Sequence, residues 1–267
     1  MGIFEGYLLV SDMDGTLLND KRKISDDDKN AIKYFKENGG LFTIATGRML
    51  ESAGRFAREL DLSLPIILYN GSKVYDYTSE KVIKEYFLEE ERKVVINKLL
   101  QENKEIGIEV YSEEKIYIFK ECKYTKRFTG KGYKVIYDID DSIWNAKWTK
   151  ILVVGEEGIL DELEANFTKY DSEIPIRSGE RFLEIVPKYT SKGQALNDLI
   201  NEYKLNDLKV ITVGDNMNDK EFLENADYGF IVKNGNKKLL DKVKYKAPSN
   251  NDNPIKFIVE WIENNIK

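Results

Sequence analysis

The sequence predicts an α/β protein: a parallel sheet buried on both faces, with a second, α+β unit inserted in it. Three observations carry this reading. Short, wholly apolar runs end in polar or glycine-bearing turns, as strands covered on both faces do. Amphipathic helices follow those turns. From about residue 78 to 187 the rhythm changes to helix-strand-strand, twice over, which is the pattern of an antiparallel sheet with helices on one face. A chain of 267 residues suffices for one large or two modest domains.

The first strand is Tyr7-Leu8-Leu9-Val10, ending at Ser11-Asp12. Ser25, with Asp28 three residues on, starts a helix that turns Ala31, Ile32 and Phe35 inward and stops at Gly39-Gly40. Leu41 to Ala45 form the second strand, running into Thr46-Gly47-Arg48, and Ala53, Phe56, Ala57 and Leu60 give the next helix its apolar stripe. Pro65 opens a third strand, Ile66-Ile67-Leu68, which stops at Tyr69-Asn70-Gly71. In the inserted unit a helix near 90–103 precedes strands Ile106–Tyr111, Lys115–Phe119, Tyr133–Asp138 and Thr149–Val154. A helix at about 158–169 then leads to Glu173–Arg177 and Arg181–Val186, joined across Ser178-Gly179. The first pattern resumes with a helix carrying Ala195, Leu196, Leu199 and Ile200, then strands Val210–Val213 and Gly229–Val232. A last helix carries Ile255, Ile258, Val259, Ile262 and Ile266.

Composition narrows the chemistry. Lys and Arg number 41 against 47 Asp and Glu, a net charge of −6 with both signs interspersed, so no basic face for nucleic acid is expected. There is no histidine, which excludes Ser-His-Asp and Cys-His catalysis and nearly every catalytic zinc site. Only oxygen ligands remain in quantity, so any metal should be hard: Mg²⁺, Mn²⁺ or Ca²⁺. The single cysteine, Cys122, cannot form an intrachain disulfide, and a cytoplasmic, reducing location is expected. The N-terminus lacks a signal-peptide pattern, and no apolar run approaches the ~18 residues of a membrane span, so no membrane partner is expected. The sequence sets no oligomeric state.

In an open parallel sheet ligands bind beyond the carboxyl ends of the strands. Asp12, Asp14, Thr46, Asn70, Asp215, Asn218 and Asp219 all follow apolar strands, with Lys192 at a nearby helix start, and so should converge on an oxygen-rich cage holding one cation. In Asp12-Met13-Asp14-Gly15-Thr16, Asp12 could attack phosphorus and Asp14 could pass protons to the leaving oxygen and from water. The same pentapeptide also reads as a strand-end Asx turn. It is not a calcium loop, because the twelfth position, Lys23, should be an acid. The Thr46 hydroxyl and the amide after it could orient a phosphoryl oxygen, or Thr46 could simply cap the 50–60 helix. Lys192, in Ser191-Lys192-Gly193, could neutralise charge between nucleophile and phosphate or be an ordinary solvated lysine. In Gly214-Asp215-Asn216-Met217-Asn218-Asp219, two carboxylates four apart around a turn could flank one Mg²⁺, or be an acidic first helical turn. No phosphate-binding Gly-rich loop of the other kinds is present, and Arg127 lies one position short of cysteine-phosphatase spacing from Cys122.

Taken in order, these four motifs resemble those of the haloacid dehalogenase-like hydrolase superfamily, specifically its Cof-type (type IIB) sugar phosphatases, and the resemblance spans nearly the whole chain. It implies a Rossmann-like catalytic core of residues 1–77 and 188–267 and an inserted cap domain of residues 78–187 that sets substrate specificity. It also implies Mg²⁺ held by Asp12, the Asp14 main-chain carbonyl and Asp215, with Asp219 in support. Gly47, Arg48, Asn70 and Gly71 would lie at the phosphate, and Asn218 would position Lys192 or the substrate. The reaction implied is Mg²⁺-dependent hydrolysis of a small phosphorylated metabolite, a sugar phosphate by preference, through an aspartyl-phosphate on Asp12. A phosphomutase and a non-catalytic phosphometabolite-binding protein are the alternatives. Dehalogenation is disfavoured, since dehalogenases of this superfamily lack the acid that Asp14 provides. Tyr111, Arg177, Arg181 and Glu184 are the candidate specificity residues of the cap.

Overall fold

The computed structural model describes residues 2–102, 104–130 and 132–265, so Ile266 and the end of the predicted 90–103 helix fall outside the described residues. Two compact units emerge, one formed by the chain up to Lys84 and from Ser191 on, the other by Glu85–Thr190. The first unit opens with β1 (Tyr7–Ser11), α1 (Asp26–Glu37), β2 (Leu41–Ile44), α2 (Leu50–Glu59), β3 (Ile66–Leu68), β4 (Lys73–Asp76) and β5 (Lys81–Glu85). The second holds α3 (Glu90–Lys93), α4 (Val95–Gln101), β6 (Gly107–Ser112), β7 (Lys115–Lys120), β8 (Val135–Ile136), β9 (Lys150–Val154), α5 (Glu157–Ala165), β10 (Ile176–Gly179) and β11 (Phe182–Ile185). The chain then returns through α6 (Lys192–Glu202), β12 (Lys209–Gly214), α7 (Lys220–Glu224), β13 (Tyr228–Val232), α8 (Lys237–Leu240), β14 (Tyr245–Ala247) and α9 (Pro254–Asn265).

The first unit is built on a parallel sheet of order β14-β13-β12-β1-β2. Its inner strand β1, between β12 and β2, is apolar because both its faces are covered. Leu8 and Val10 join Ala195, Leu196 and Leu199 of α6 and Phe222 and Leu223 of α7 in one core cluster. The apolar stripes of α1 and α9, including Ile32, Phe35, Ile255 and Ile258, are buried where those helices pack together. A single parallel bridge, Ala45 to Ile67, adds β3 beside β2. The chain therefore leaves β12, β1, β2 and β3 at one edge, and the residues following those strands are Asp215, Asp12, Thr46 and Asn70.

The second unit is a sheet of order β10-β11-β9-β6-β7-β8, antiparallel apart from the β7–β8 pair. Val95, Ile96 and Leu99 of α4 and Leu160 and Leu163 of α5 pack on Ile108, Val110, Ile151, Val153, Leu183 and Ile185. The helix predicted near 90 is interrupted at Val94. The one predicted to run to 169 leaves helical geometry at Asn166 (φ −111°, ψ 14°), whose side chain bonds back to the Glu162 carbonyl. The expected boundaries at 77/78 and 187/188 move to 84/85 and 190/191. β4 returns antiparallel to β3 and β5 follows it in the same sheet, while the Lys188 amide still bonds Glu89 of the second unit.

Between β3 and β4 three consecutive residues are left-handed: Tyr69 (φ 51°), Asn70 (φ 56°) and Gly71 (φ 106°). The turn fits tightly against the start of α6, since a Cβ on Gly71 would come 2.1 Å from the Ser191 carbonyl oxygen. Ser191 is the N-cap of α6, accepting the Gln194 amide at 2.9 Å, and Lys192 is the helix's first residue. Gly71→Ala should therefore destabilise the protein by roughly 2–4 kcal/mol, the sum of a left-handed backbone penalty and a clash with backbone that cannot move freely. Urea unfolding tests this, and a change within about 0.5 kcal/mol, as at an ordinary surface site, would contradict the fit.

Candidate active site

Asp12 follows β1 directly, and its amide donates to the Val213 carbonyl at 2.9 Å, so the β1–β12 ladder extends one residue into the site. The Lys192 ammonium, at the start of α6, donates to Asp12 Oδ1 at 2.5 Å and to Asp219 Oδ1 at 2.7 Å. All three residues are buried, Lys192 and Asp219 completely. Asp219 Oδ2 accepts the amides of Asp215 and Asn216, both at 3.0 Å, and an Asn216–Asp219 capping box closes the turn after β12. Asp219 thus spends one oxygen on the lysine and the other on the loop that presents Asp215. Carboxylate oxygens of Asp12, Asp215 and Asp219 lie within 4.8 Å of one another. Gly15 (φ 79°) lets the Asp215 carboxylate approach, since a Cβ there would sit 2.5 Å from its Oδ2.

Thr46 does not cap the following helix, whose N-cap is Met49. Its hydroxyl accepts the Arg48 amide at 3.2 Å, and its carbonyl accepts the Asn70 amide at 2.9 Å. Asn218 donates to Asn70 Oδ1 at 3.1 Å, so its amide is directed at Asn70 rather than at Lys192. This leaves Asn70 Nδ2 and Asn218 Oδ1 buried without a partner, one donor and one acceptor. Gly47 lies against that amide, its Cβ position 3.0 Å from Asn70 Nδ2. Asp14 stands apart from the carboxylate group, its side chain 57% exposed and bound by the Arg48 guanidinium at 2.6 and 2.7 Å. Two supports escaped the sequence reading: Asn234 donates to the Gly15 carbonyl at 2.8 Å and the Asn236 amide to the Asp215 carbonyl at 2.7 Å. Nothing in their spacing from the motifs points to these roles.

Burial dominates the electrostatics. It raises the Asp12 carboxyl from 3.8 to about 7, with Asp219 adding to the shift and Lys192 opposing it. Asp215 is likewise pushed well up by burial and by Asp12 and Asp219. For Lys192, burial disfavours the charged form, but Asp12 and Asp219 outweigh it and the ammonium is held more firmly than usual. The centre holds more negative charge than one ammonium can offset.

In the second unit a separate polar cluster occupies the sheet face opposite α4 and α5, where the pleat alternates with the apolar positions. Lys150 donates to Glu184 at 2.7 Å, Ser178 to the same carboxylate at 2.5 Å, and Tyr111 to Glu109 at 3.0 Å, while Arg127 holds Glu109 at 2.7 Å. Tyr111 and Glu184 therefore belong to one face. Arg177 does not: it is paired in register with the core residue Leu183 and meets Asp161 and Glu164 of α5 at 3.0 and 3.4 Å. Arg181 lies over the Tyr124 ring. Glu109, Lys150 and Arg127 are the members that sequence polarity did not single out.

A chain with this sheet and this strand-end cluster belongs to the haloacid dehalogenase-like hydrolase family, whose model matches residues 9–258. It is 28% identical over 269 residues to a protein of Streptococcus pyogenes serotype M6 named as a phosphatase, covering 96% of this chain and 98% of that one. It is 25% identical over 291 residues to 5-amino-6-(5-phospho-D-ribitylamino)uracil phosphatase YwtE of Bacillus subtilis, covering 95% and 97%. Among solved structures, the subclass IIB sugar phosphatase BT4131 shares the fold, with a TM-score of 0.79 at 18% identity over 95% of this chain and 98% of that one. The chain is a phosphatase of this family. No helix among the described residues is long and apolar enough to cross a membrane.

The Asp12 shift has a consequence for stability. Between its ordinary 3.8 and about 7 the folded protein holds a proton there that the unfolded chain releases, so Asp12 makes folding less favourable as pH rises through that window. In chelator, Asp12→Asn should gain in melting temperature relative to wild type from pH 4 to 8, and Mg²⁺ should narrow the gap by stabilising only the wild type strongly. Parallel pH profiles would contradict the charge crowding described here.

Proposed function

We propose that the protein is a Mg²⁺-dependent phosphomonoesterase that hydrolyses a small phosphorylated metabolite through an aspartyl-phosphate on Asp12. The observation that carries this reading is a buried strand-end carboxylate held at 2.5 Å by a fully buried ammonium, with two further carboxylates within 4.8 Å. An all-oxygen donor set with excess negative charge fits a hard divalent cation. Asp12 and Asp215 would hold it, with the Asp14 carbonyl, while Asp219 orders the Asp215 loop. Bound there, Mg²⁺ would supply positive charge between two anions, Asp12 and the phosphate.

In the first half-reaction an Asp12 oxygen bonds to phosphorus, the ester P–O bond breaks, and Asp14 gives its proton to the departing alcohol oxygen. In the second, a water oxygen bonds to phosphorus, its proton passes to Asp14, and the P–O bond to Asp12 breaks. Lys192 keeps Asp12 oriented throughout. The unpartnered Asn70 amide can donate to a phosphoryl oxygen, and the free Asn218 oxygen can accept from a hydroxyl or water. The substrate class in this proposal is a phosphate ester of a polyhydroxylated carbon chain, which the names of the sugar and ribitylamino relatives support. The second unit, Glu85–Thr190, is the specificity element in this reading, with Tyr111, Glu184, Glu109 and Lys150 as candidate determinants.

Activity on p-nitrophenyl phosphate should vanish in excess EDTA, and Asp215→Ala should lose the Mg²⁺ response; full turnover in chelator would contradict the metal assignment. Asp14→Asn should give a burst of nitrophenolate near one equivalent per site, because that leaving group needs no acid. The steady rate should then fall about 10²- to 10⁴-fold for want of a base. A linear, near-normal progress curve would remove Asp14 from the role. Steady transfer of phosphate to a second substrate position, without release of inorganic phosphate, would indicate the mutase instead.

A further inference from the structure

Arg48 stands among the residues expected at the phosphate, yet its guanidinium is committed elsewhere. Nε donates to Asp14 Oδ2 at 2.7 Å and a terminal nitrogen to Oδ1 at 2.6 Å, the planar fork-on-carboxylate geometry that fixes orientation as well as distance. The two partners differ in freedom. The Asp14 side chain is 57% exposed and immediately precedes the left-handed Gly15, whereas the side chain of Arg48 is 17% exposed. Arg48 is also anchored at both backbone ends: its amide donates to Thr46 Oγ1 at 3.2 Å, and its carbonyl accepts the Tyr69 amide at 3.1 Å. Its guanidinium lies 5.3 Å from the Phe56 ring centroid, over an apolar face of α2. A largely buried, backbone-anchored arginine is holding an exposed acid.

We propose that Arg48 is a positioning residue that acts through Asp14 in the second half-reaction, rather than a ligand of the substrate phosphate. The proposal rests on the phosphatase reading above. A carboxylate that accepts one N–H at each oxygen keeps a further lone pair on each, so the clamped Asp14 can still receive a proton. That is what dephosphorylation asks of it: water oxygen bonds to phosphorus, the water proton goes to an Asp14 oxygen, and Asp12 departs as a carboxylate. Without the fork, an exposed side chain samples several rotamers, and a misplacement of about 1 Å in such a step costs on the order of 100-fold.

The test is a double-mutant cycle read on isolated steps. Phosphoenzyme is formed with ³²P-labelled p-nitrophenyl phosphate and Mg²⁺ in wild type, Arg48→Ala, Asp14→Asn and the double variant, and its formation and decay are followed by rapid quench. Arg48→Ala should slow decay roughly 10- to 100-fold and leave formation within about threefold. In the Asp14→Asn background the same change should leave decay unaltered, because the group through which Arg48 acts is gone. Arg48→Lys, which keeps a charge but not the fork, should fall between wild type and Arg48→Ala, and it carries the test if Arg48→Ala fails to fold. If Arg48→Ala instead raises KM and slows formation equally in both backgrounds, Arg48 binds substrate and the proposal is overturned. Equal slowing of decay in both backgrounds also overturns it. Absence of any phosphoenzyme, even in Asp14→Asn, would bring down the underlying reading and is distinct from either result.

Discussion

One buried ammonium organises the site. Lys192 is fully buried between Asp12 and Asp219, and each contact fixes a different part of the machinery. The first sets the rotamer of the acid at the end of β1. The second ties α6 to the turn after β12, because the same Asp219 carboxylate gathers the amides that shape the Asp215 loop. Removing Lys192 would leave two buried carboxylates without their counter-charge, at a cost of about 3–5 kcal/mol. The lysine is therefore both structural and electrostatic.

The fold makes this arrangement possible by where it leaves its strands. Parallel strands covered on both faces are largely apolar along their length, with Thr43 and Thr212 bonding backbone carbonyls, so charged groups gather where the chain emerges. Four neighbouring strands emerge at the same edge, and the tight seat of Gly71 on the Ser191 carbonyl fixes the start of α6 against the turn after β3. The excess of carboxylates at that edge is an uneasy ground state. Burial drives Asp12 up to about 7, a condition that a cation or a phosphate with its metal would relieve.

Much of this was legible in the sequence, and the reasons differ by residue. Asp12, Thr46, Asp215 and Asp219 could be read because each follows an apolar run, and the run itself announces a strand end. The Arg48–Asp14 fork and the Asn70–Asn218 amide pair could not, since their partners are 34 and 148 residues apart and meet only through loop conformation. β4, β5 and β14 are too short and too rich in lysine to carry an alternation signal. Arg177 was drawn to the wrong face by its polarity: register alone places it opposite Leu183, and a one-residue difference decides which side of a sheet a side chain takes.

The central claim is that Asp12 becomes covalently phosphorylated. It is tested most directly by acid-quenching Asp14→Asn protein after exposure to ³²P-labelled p-nitrophenyl phosphate and Mg²⁺, digesting it, and locating the label. The account predicts a hydroxylamine-labile label on the peptide containing Asp12, absent when Asp12→Asn is added. Label on any other residue, or a nitrophenolate burst with no label on the protein, would contradict it.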